Sequence, residues 1–351
     1  MRKIIFMACA LVAVAALGAA TAGAERRAEV SVVASGLEHP GGIAAAPDGG
    51  LYVTEMGHGG DTCYDEPDFI GFGPLGPACY GQSGAITRIK KNGQKDRVVD
   101  GLFSIGVVGG AFTVGPTGVA VMDDGQLLVT MMARSNCRTT DIYPWWARAQ
   151  IGKLLLVRTD RHTRVAADVN GFECRENPDG AAATSYPIAV VTDRGRAFVA
   201  DSGGDDILEW KGSKLRTFGV SLPGFAPTSL ALGPDGALYA GVCNCVGEGK
   251  ILRFVAGQAP TVFADGFGWV TGLAFGRDGS LYVVEETFDP NDGTVAHGDV
   301  VRIARNGTRT TIVPQGTLEW PSQAVWGPDQ ALYVINHAVF SPTGEVVRIK
   351  P

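Results

Sequence analysis

Four short phrases in this chain end on a side chain that can hold a cation or move a proton. Leu51-Tyr52-Val53-Thr54 runs into Glu55, and Ala197-Phe198-Val199-Ala200 runs into Asp201. Leu281-Tyr282-Val283-Val284 runs into Glu285, and Leu332-Tyr333-Val334-Ile335 into Asn336. Two sister phrases end on Met131 and Val242. If the six phrases are equivalent strands, these six residues leave the fold at one end of it. Oxygen ligands gathered there would suit Ca²⁺ or Mg²⁺, so Glu55, Asp201, Glu285 and Asn336 form a candidate metal set. Carboxylates held close together also raise one another's pKa, which would allow one of them to act as a general base. A plainer reading has each side chain bonding loop amides where its strand ends. Aromatic and imidazole side chains stand near the same end: His39, Tyr186, Trp269 and Trp320 precede neighbouring strands, and His337 follows Asn336. Rings beside polar groups suit a flat or sugar-like ligand, so His39, Trp269, Trp320 and His337 form a candidate binding set. No residue is singled out as catalytic, and the serine-hydrolase elbow G-x-S-x-G is absent.

The elements that must position these residues are written as a repeat. A small-residue strand leads into Pro-Asp-Gly or a relative of it, and then into the phrases above. The turns fall at Asp48-Gly49, Asp124-Gly125, Arg194-Gly195, Asp235-Gly236, Asp278-Gly279 and Asp329-Gln330. Asp-Gly between apolar runs is a hairpin signal, because glycine takes positive φ at little cost. The closer-spaced turns are about one propeller blade apart, roughly 40–45 residues. The phrases after the turns are apolar on both faces, as strands sandwiched between neighbouring blades must be. More polar third strands follow at residues 84–89, 153–157, 250–254, 300–303 and 346–349. The last copy stops after its third strand, while an orphan strand, Val30-Ser31-Val32-Val33-Ala34, precedes the first. Pairing the two would close a ring and remove both sheet edges. The expectation is an all-β, six-bladed β-propeller whose N-terminal strand completes the last blade.

The first residues read as a leader rather than as fold. Arg2 and Lys3 precede an apolar run, and Ala22-Gly23-Ala24 is a small-residue cleavage site. Residues 1–24 are therefore expected to be a cleaved signal peptide, and residues 25–351 the exported propeller. The run is also about long enough to stay as an anchor. No second apolar span of that length follows. The formal net charge of −6 argues against nonspecific nucleic-acid binding. Beyond the leader, Cys63, Cys79, Cys137, Cys174, Cys243 and Cys245 make an even set, which in an exported chain points to disulfides. Proximity favours Cys63–Cys79, Cys137–Cys174 and Cys243–Cys245, the last a very short and strained ring.

Two insertions interrupt the repeat, at residues 57–83 and 131–151. The first is rich in Gly and Pro and carries one cysteine pair. The second carries Tyr143-Pro144-Trp145-Trp146, which reads either as a lid or contact surface or as a plug holding the loop on the propeller body.

The segment from Gly36-Leu37-Glu38-His39-Pro40 to Glu55 is similar to many bacterial six-bladed propellers, and Val199-Ala200-Asp201-Ser202-Gly203-Gly204-Asp205 resembles the NHL-repeat phrase. The chain most resembles the secreted ScyD/ScyE family. The likeness rests on the paired-cysteine insertion ending Cys79-Tyr80-Gly81-Gln82-Ser83-Gly84-Ala85, on Pro227-Thr228-Ser229, and on Ala274-Phe275-Gly276-Arg277-Asp278-Gly279. It implies a secreted propeller and imports no reaction. Two enzyme groups with similar blades fit less well. Gluconolactonase-like propellers of the SMP-30 group place asparagine metal ligands where this chain has Thr117 and Thr228, and quinone-dependent sugar dehydrogenases carry a His-Arg-Asn stretch that is missing here. The expectation is thus a secreted, monomeric binding module for a small molecule, a glycan or an extracellular protein. The alternative is a Ca²⁺- or Mg²⁺-dependent lactonase, hydrolase or oxidoreductase working at the channel mouth.

Overall fold

The computed structural model describes residues 28–64, 77–107, 112–132, 135–137, 143–244, 246–288, 296–341 and 343–351. Residues 1–24, the expected leader, and Cys245, half of the third expected disulfide, lie outside the described residues.

Each repeat folds into an antiparallel blade of four main strands, to which blade 1 adds the short strands Thr62–Tyr64 and Thr113–Val114, and six blades close into a propeller. Blade 1 runs Pro40–Ala45, Leu51–Glu55, Ala78–Ile89 and Lys95–Val107 from the axis outwards. Blade 2 is Pro116–Val121, Leu127–Met131, Lys153–Val157 and Thr163–Asp168. Blade 3 is Pro187–Asp193, Arg196–Asp201, Asp206–Lys211 and Lys214–Val220. Blade 4 is Ala226–Leu232, Leu238–Cys243, Gly249–Phe254 and Thr261–Phe267, and blade 5 is Trp269–Phe275, Leu281–Phe288, Ala296–Ile303 and Arg309–Glu319. Blade 6 takes Ala324–Trp326, Leu332–Asn336 and Gly344–Lys350 from the end of the chain and Glu29–Leu37 from its start, with Glu29 opposite Lys350.

The cores lie between blades, which is why the second strands are apolar on both faces. Ile86 and Val99 of blade 1 pack with Val119, Val129 and Leu155 of blade 2. Val284 and Val300 of blade 5 pack with Val334 and Val347 of blade 6. Hydroxyls near the axis stitch several seams. Thr54 donates to the Thr117 carbonyl (2.6 Å), and Thr117 to the Pro187 carbonyl (3.0 Å). Thr228 donates to the Val270 carbonyl, and Ser322 to the Gly41 carbonyl (2.6 Å). Gly42 belongs to this close approach: a Cβ there would lie 2.0 Å from the Thr117 oxygen.

Cys63–Cys79 and Cys137–Cys174 are both formed. The first locks a small strand, Thr62–Tyr64, onto the third strand of blade 1. The interruption of the second repeat is longer than its sequence suggests. After the outer strand of blade 2 the chain forms the helix Val169–Glu176, capped by Asp168, whose carboxylate accepts from Gly171 N (2.7 Å). The helix is short and its apolar residues do not fall at a clear helical period. Its visible signals are the Asp168 cap and Asn177-Pro178 after its last turn.

Candidate functional site

The six strand exits do lie at one end of the propeller, but their side chains do not share one site. Glu55 is buried, accepts from Glu38 N (2.8 Å) and Thr87, and pairs with Arg97 (2.6 Å) on the outer strand of its own blade. Asp201 accepts from Tyr186 N (2.6 Å) and Ser185 Oγ (2.7 Å). Glu285 accepts from Gly268 N (2.5 Å), and Asn336 Oδ1 from Glu319 N (2.8 Å). In four blades, then, a residue at or near the end of the second strand clamps a main-chain N–H in the segment leading to the first strand of the same blade. Met131 and Val242 have no oxygen with which to do so. Among the described residues, no three His, Cys, Asp or Glu side chains are arranged as a ready metal group.

The innermost strands, from Gly42–Ala45 to Val325 and Trp326, line a cavity of about 390 Å³ along the axis, with mostly apolar side chains. Gln323 of blade 6 reaches over it and donates from Nε2 to the Thr228 carbonyl of blade 4 (2.9 Å). Thr117 and Thr228, where gluconolactonase-like propellers have asparagines, spend their hydroxyls on neighbouring blades' carbonyls.

The ring-bearing candidates separate into two groups. Trp269 is half-buried beside blade 4 and donates from Nε1 to the Asn244 carbonyl (3.1 Å). His39, Trp320 and His337 gather at the seam of blades 6 and 1. His39 is buried, with Nδ1 2.9 Å from the Gly57 carbonyl. Trp320 lies against Phe340, ring centroids 4.7 Å apart, and Phe340 lies against Phe112 at 5.8 Å. His337 stands between carboxylates, Nδ1 3.7 Å from Glu319 and Nε2 4.0 Å from Glu345. The backbone marks this seam as unusual: His39, Trp320, His337 and Phe340 have φ of 43°, 47°, 56° and 57°. Bulky residues rarely adopt the left-handed region, and it is held where surrounding structure over-determines it, often at ligand sites. Phe340 went unremarked in the sequence, because Ala338-Val339-Phe340 reads as ordinary loop apolarity.

Among the strands described, carboxyl groups whose pKa is raised by burial occur in two blades. In blade 5, Glu285 faces Asp299 across the ladder. Burial raises both pKa values, and the neighbouring Glu285 charge helps push Asp299 up to about 7. Glu286, on the other face of that strand, is raised by burial to about 8. In blade 3, burial raises Asp201 to about 6 against the opposing hydrogen bonds from Ser185 and Tyr186. Asp206 is raised further, by burial and then by surrounding carboxylates.

The architecture is that of the six-bladed propellers, and solved structures share it across most of their length. The soluble aldose sugar dehydrogenase from Escherichia coli is similar at 13% identity, TM-score 0.56, with 92% of this chain and 99% of that chain covered. A protein assigned as a gluconolactonase is similar at 12% identity and TM-score 0.54, with 92% of each chain covered. A streptogramin B lyase is similar at 14% identity and TM-score 0.52, covering 92% of this chain and 98% of that one. At these identities the likeness is one of fold. No family model matches the chain, and no curated protein matches it.

Proposed function

We propose that this chain is an exported ScyD/ScyE-like propeller that binds a flat or sugar-like small molecule at the seam of blades 6 and 1. The observation that carries this reading is the set of left-handed backbone positions at His39, Trp320, His337 and Phe340. They collect two aromatic rings and two imidazoles on the face where the strands exit. Trp320 and Phe340 supply the ring surface, and His337, set between Glu319 and Glu345, supplies a polar edge. Two disulfides fit an oxidising compartment, which supports export.

A second reading is favoured by the Glu285–Asp299 pair. Two facing carboxyl groups, one with its pKa near 7, are suited to take a proton at neutral pH. That reading makes the protein a lactonase, hydrolase or oxidoreductase, activities represented among propellers of the same fold.

One panel separates the two. Tryptophan fluorescence titrations with glycans, lactones and aromatic small molecules should reveal a binder whose Kd rises at least tenfold in Trp320→Ala and in His337→Ala. Ligands bound equally well by both variants would overturn the seam as the site. The same compounds assayed for product settle the second reading: turnover abolished by Glu285→Gln supports an enzyme, and binding without turnover removes it.

A further inference from the structure

Blade 3 holds a group of carboxylates that neither reading uses. Asp201 and Asp206 face each other across the ladder, joined by the turn Ser202-Gly203-Gly204-Asp205. The helix Val169–Glu176 lies over this turn and brings Glu173 to it. A Cβ at Gly204 would stand 2.9 Å from Glu173 Oε2 and 3.6 Å from Asp201 Cγ, so the two carboxylates flank one glycine. Cys174, the next residue in the helix, is tied to Cys137, which anchors the helix in place.

The second observation is a set of buried oxygens with no donor. Asp206 is 0% exposed, and neither of its carboxylate oxygens has a hydrogen-bond partner. Glu173 is 1% exposed, and its Oε1 is likewise unpartnered. Asn170 lies three residues before Glu173, on the same face of the helix by spacing, Asn177 caps the end of the helix, and the Oδ1 of each is buried and unpartnered. Asn177 turns its Nδ2 away, to the Ala181 carbonyl (3.0 Å). The charges acting on Asp206 come from Asp201, Glu173, Asp179 and Asp205, all of one sign. A buried polar atom without a partner is costly, and several acceptors facing inwards without a donor call for a cation.

We propose that Glu173, Asp201 and Asp206, with Asp205 beside them in the turn, form a binding site for one divalent cation, Ca²⁺. Calcium accepts six to eight oxygens in irregular geometry, whereas Mg²⁺ demands a near-ideal octahedron. A helix, a turn and two strand ends, which do not present a preformed octahedron, therefore fit Ca²⁺ better. Among the described residues no three of these side chains are arranged as a metal group, so binding has to bring them together. The cation draws Glu173 and Asp206 together at the turn, where the lack of a side chain at Gly204 allows the Glu173 carboxylate its close approach. The site lies within blade 3 and the helix packed on it, away from the blade 6 seam. It fastens the interruption after blade 2 to the propeller body.

The test uses purified full-length protein freed of metal with EDTA, and Ca²⁺ alone as the probe. Isothermal titration should give one Ca²⁺ per chain. At a hundredfold excess over Kd the melting temperature should rise by about 5 °C. Asp206→Asn and Glu173→Gln should each lose the uptake and the shift, and Glu55→Gln should keep both. If Asp206→Asn does not fold, Gly204→Ala, which drives a methyl group against Glu173, should weaken Ca²⁺ at least tenfold. The proposal is overturned if the wild-type protein takes up no Ca²⁺. It is equally overturned if uptake survives in both the Glu173 and Asp206 variants. An Asp206→Asn protein that melts above a calcium-indifferent wild type at pH 8 would identify the cluster as carboxyl groups kept neutral in the core.

Discussion

Glu286 shows how much one buried side chain can impose on the protein's response to pH. It is a carboxyl group in an apolar strand, and burial raises its pKa from the ordinary 4.5 to about 8. The unfolded chain gives up this proton near pH 4.5, while the folded chain keeps it until about pH 8. Between those values the folded state binds more protons, so stability falls as pH rises, by up to about 1.4 kcal/mol per pH unit for the one group. Above pH 8 both states are ionised and the slope vanishes. Glu286→Gln should flatten that part of the curve and raise stability at pH 8, as read from urea melts at pH 5, 6.5 and 8. Equal slopes in wild type and variant would contradict the assignment. The residue scale is also where sequence reading reached its limit. Spacing placed Glu55, Asp201, Glu285 and Asn336 at the same end of the propeller. It could not show which way each side chain turns, because what attracts them are the main-chain N–H groups of Glu38, Tyr186, Gly268 and Glu319, which no residue type signals. Phe340 was hidden for a similar reason: what distinguishes it is a backbone angle, not a residue type.

At the scale of elements, the two insertions support each other. Tyr64 and Tyr143 share a hydrogen bond between hydroxyls (2.6 Å), and Tyr143 packs edge-on against Tyr80 (5.4 Å) and Phe103 (5.5 Å). Trp146 leans on the same Tyr80 and Phe103 at 6.3 and 6.2 Å. Of the two readings of Tyr143-Pro144-Trp145-Trp146, the plug describes Tyr143 and Trp146, while Trp145 is 76% exposed. Tyr143→Ala should cost about 3–5 kcal/mol, as large aromatic truncations in cores do, and Trp145→Ala less than about 0.5 kcal/mol. Paired thermal melts check both values, and a Trp145 effect as large as that of Tyr143 would show that its ring is covered in solution. The strands were legible because their apolar runs and Asp-Gly turns repeat. The helix Val169–Glu176 was not, since eight residues with a single cap carry too few turns for a periodic signal.

At the scale of the molecule, closure depends on one pairing. Glu29–Leu37 supplies the outer strand of blade 6 and leaves that sheet without an open edge towards Gly344–Lys350. Val33, Ala34 and Leu37 also pack into the seam with blade 1, beside Ile43 and Val53. Deleting residues 28–37 should leave a soluble fraction that self-associates through the bared edge, seen as larger species by size-exclusion chromatography, with a broadened, earlier melt. A monomer with unchanged melting would show that three strands suffice. The ring was legible in the sequence because the missing fourth strand of the last copy and the orphan strand before the first are complementary.

That pairing also sets the timetable of biogenesis. Glu29 meets Lys350, so the two parts of blade 6 are made with the five other blades between them. While the chain is being made, five blades can form from neighbouring segments, yet the array stays an open arc with two raw flanks. The last seam forms only after Gly344–Lys350 has emerged. Until then neighbour contacts alone hold the arc, and the final pairing acts as its latch.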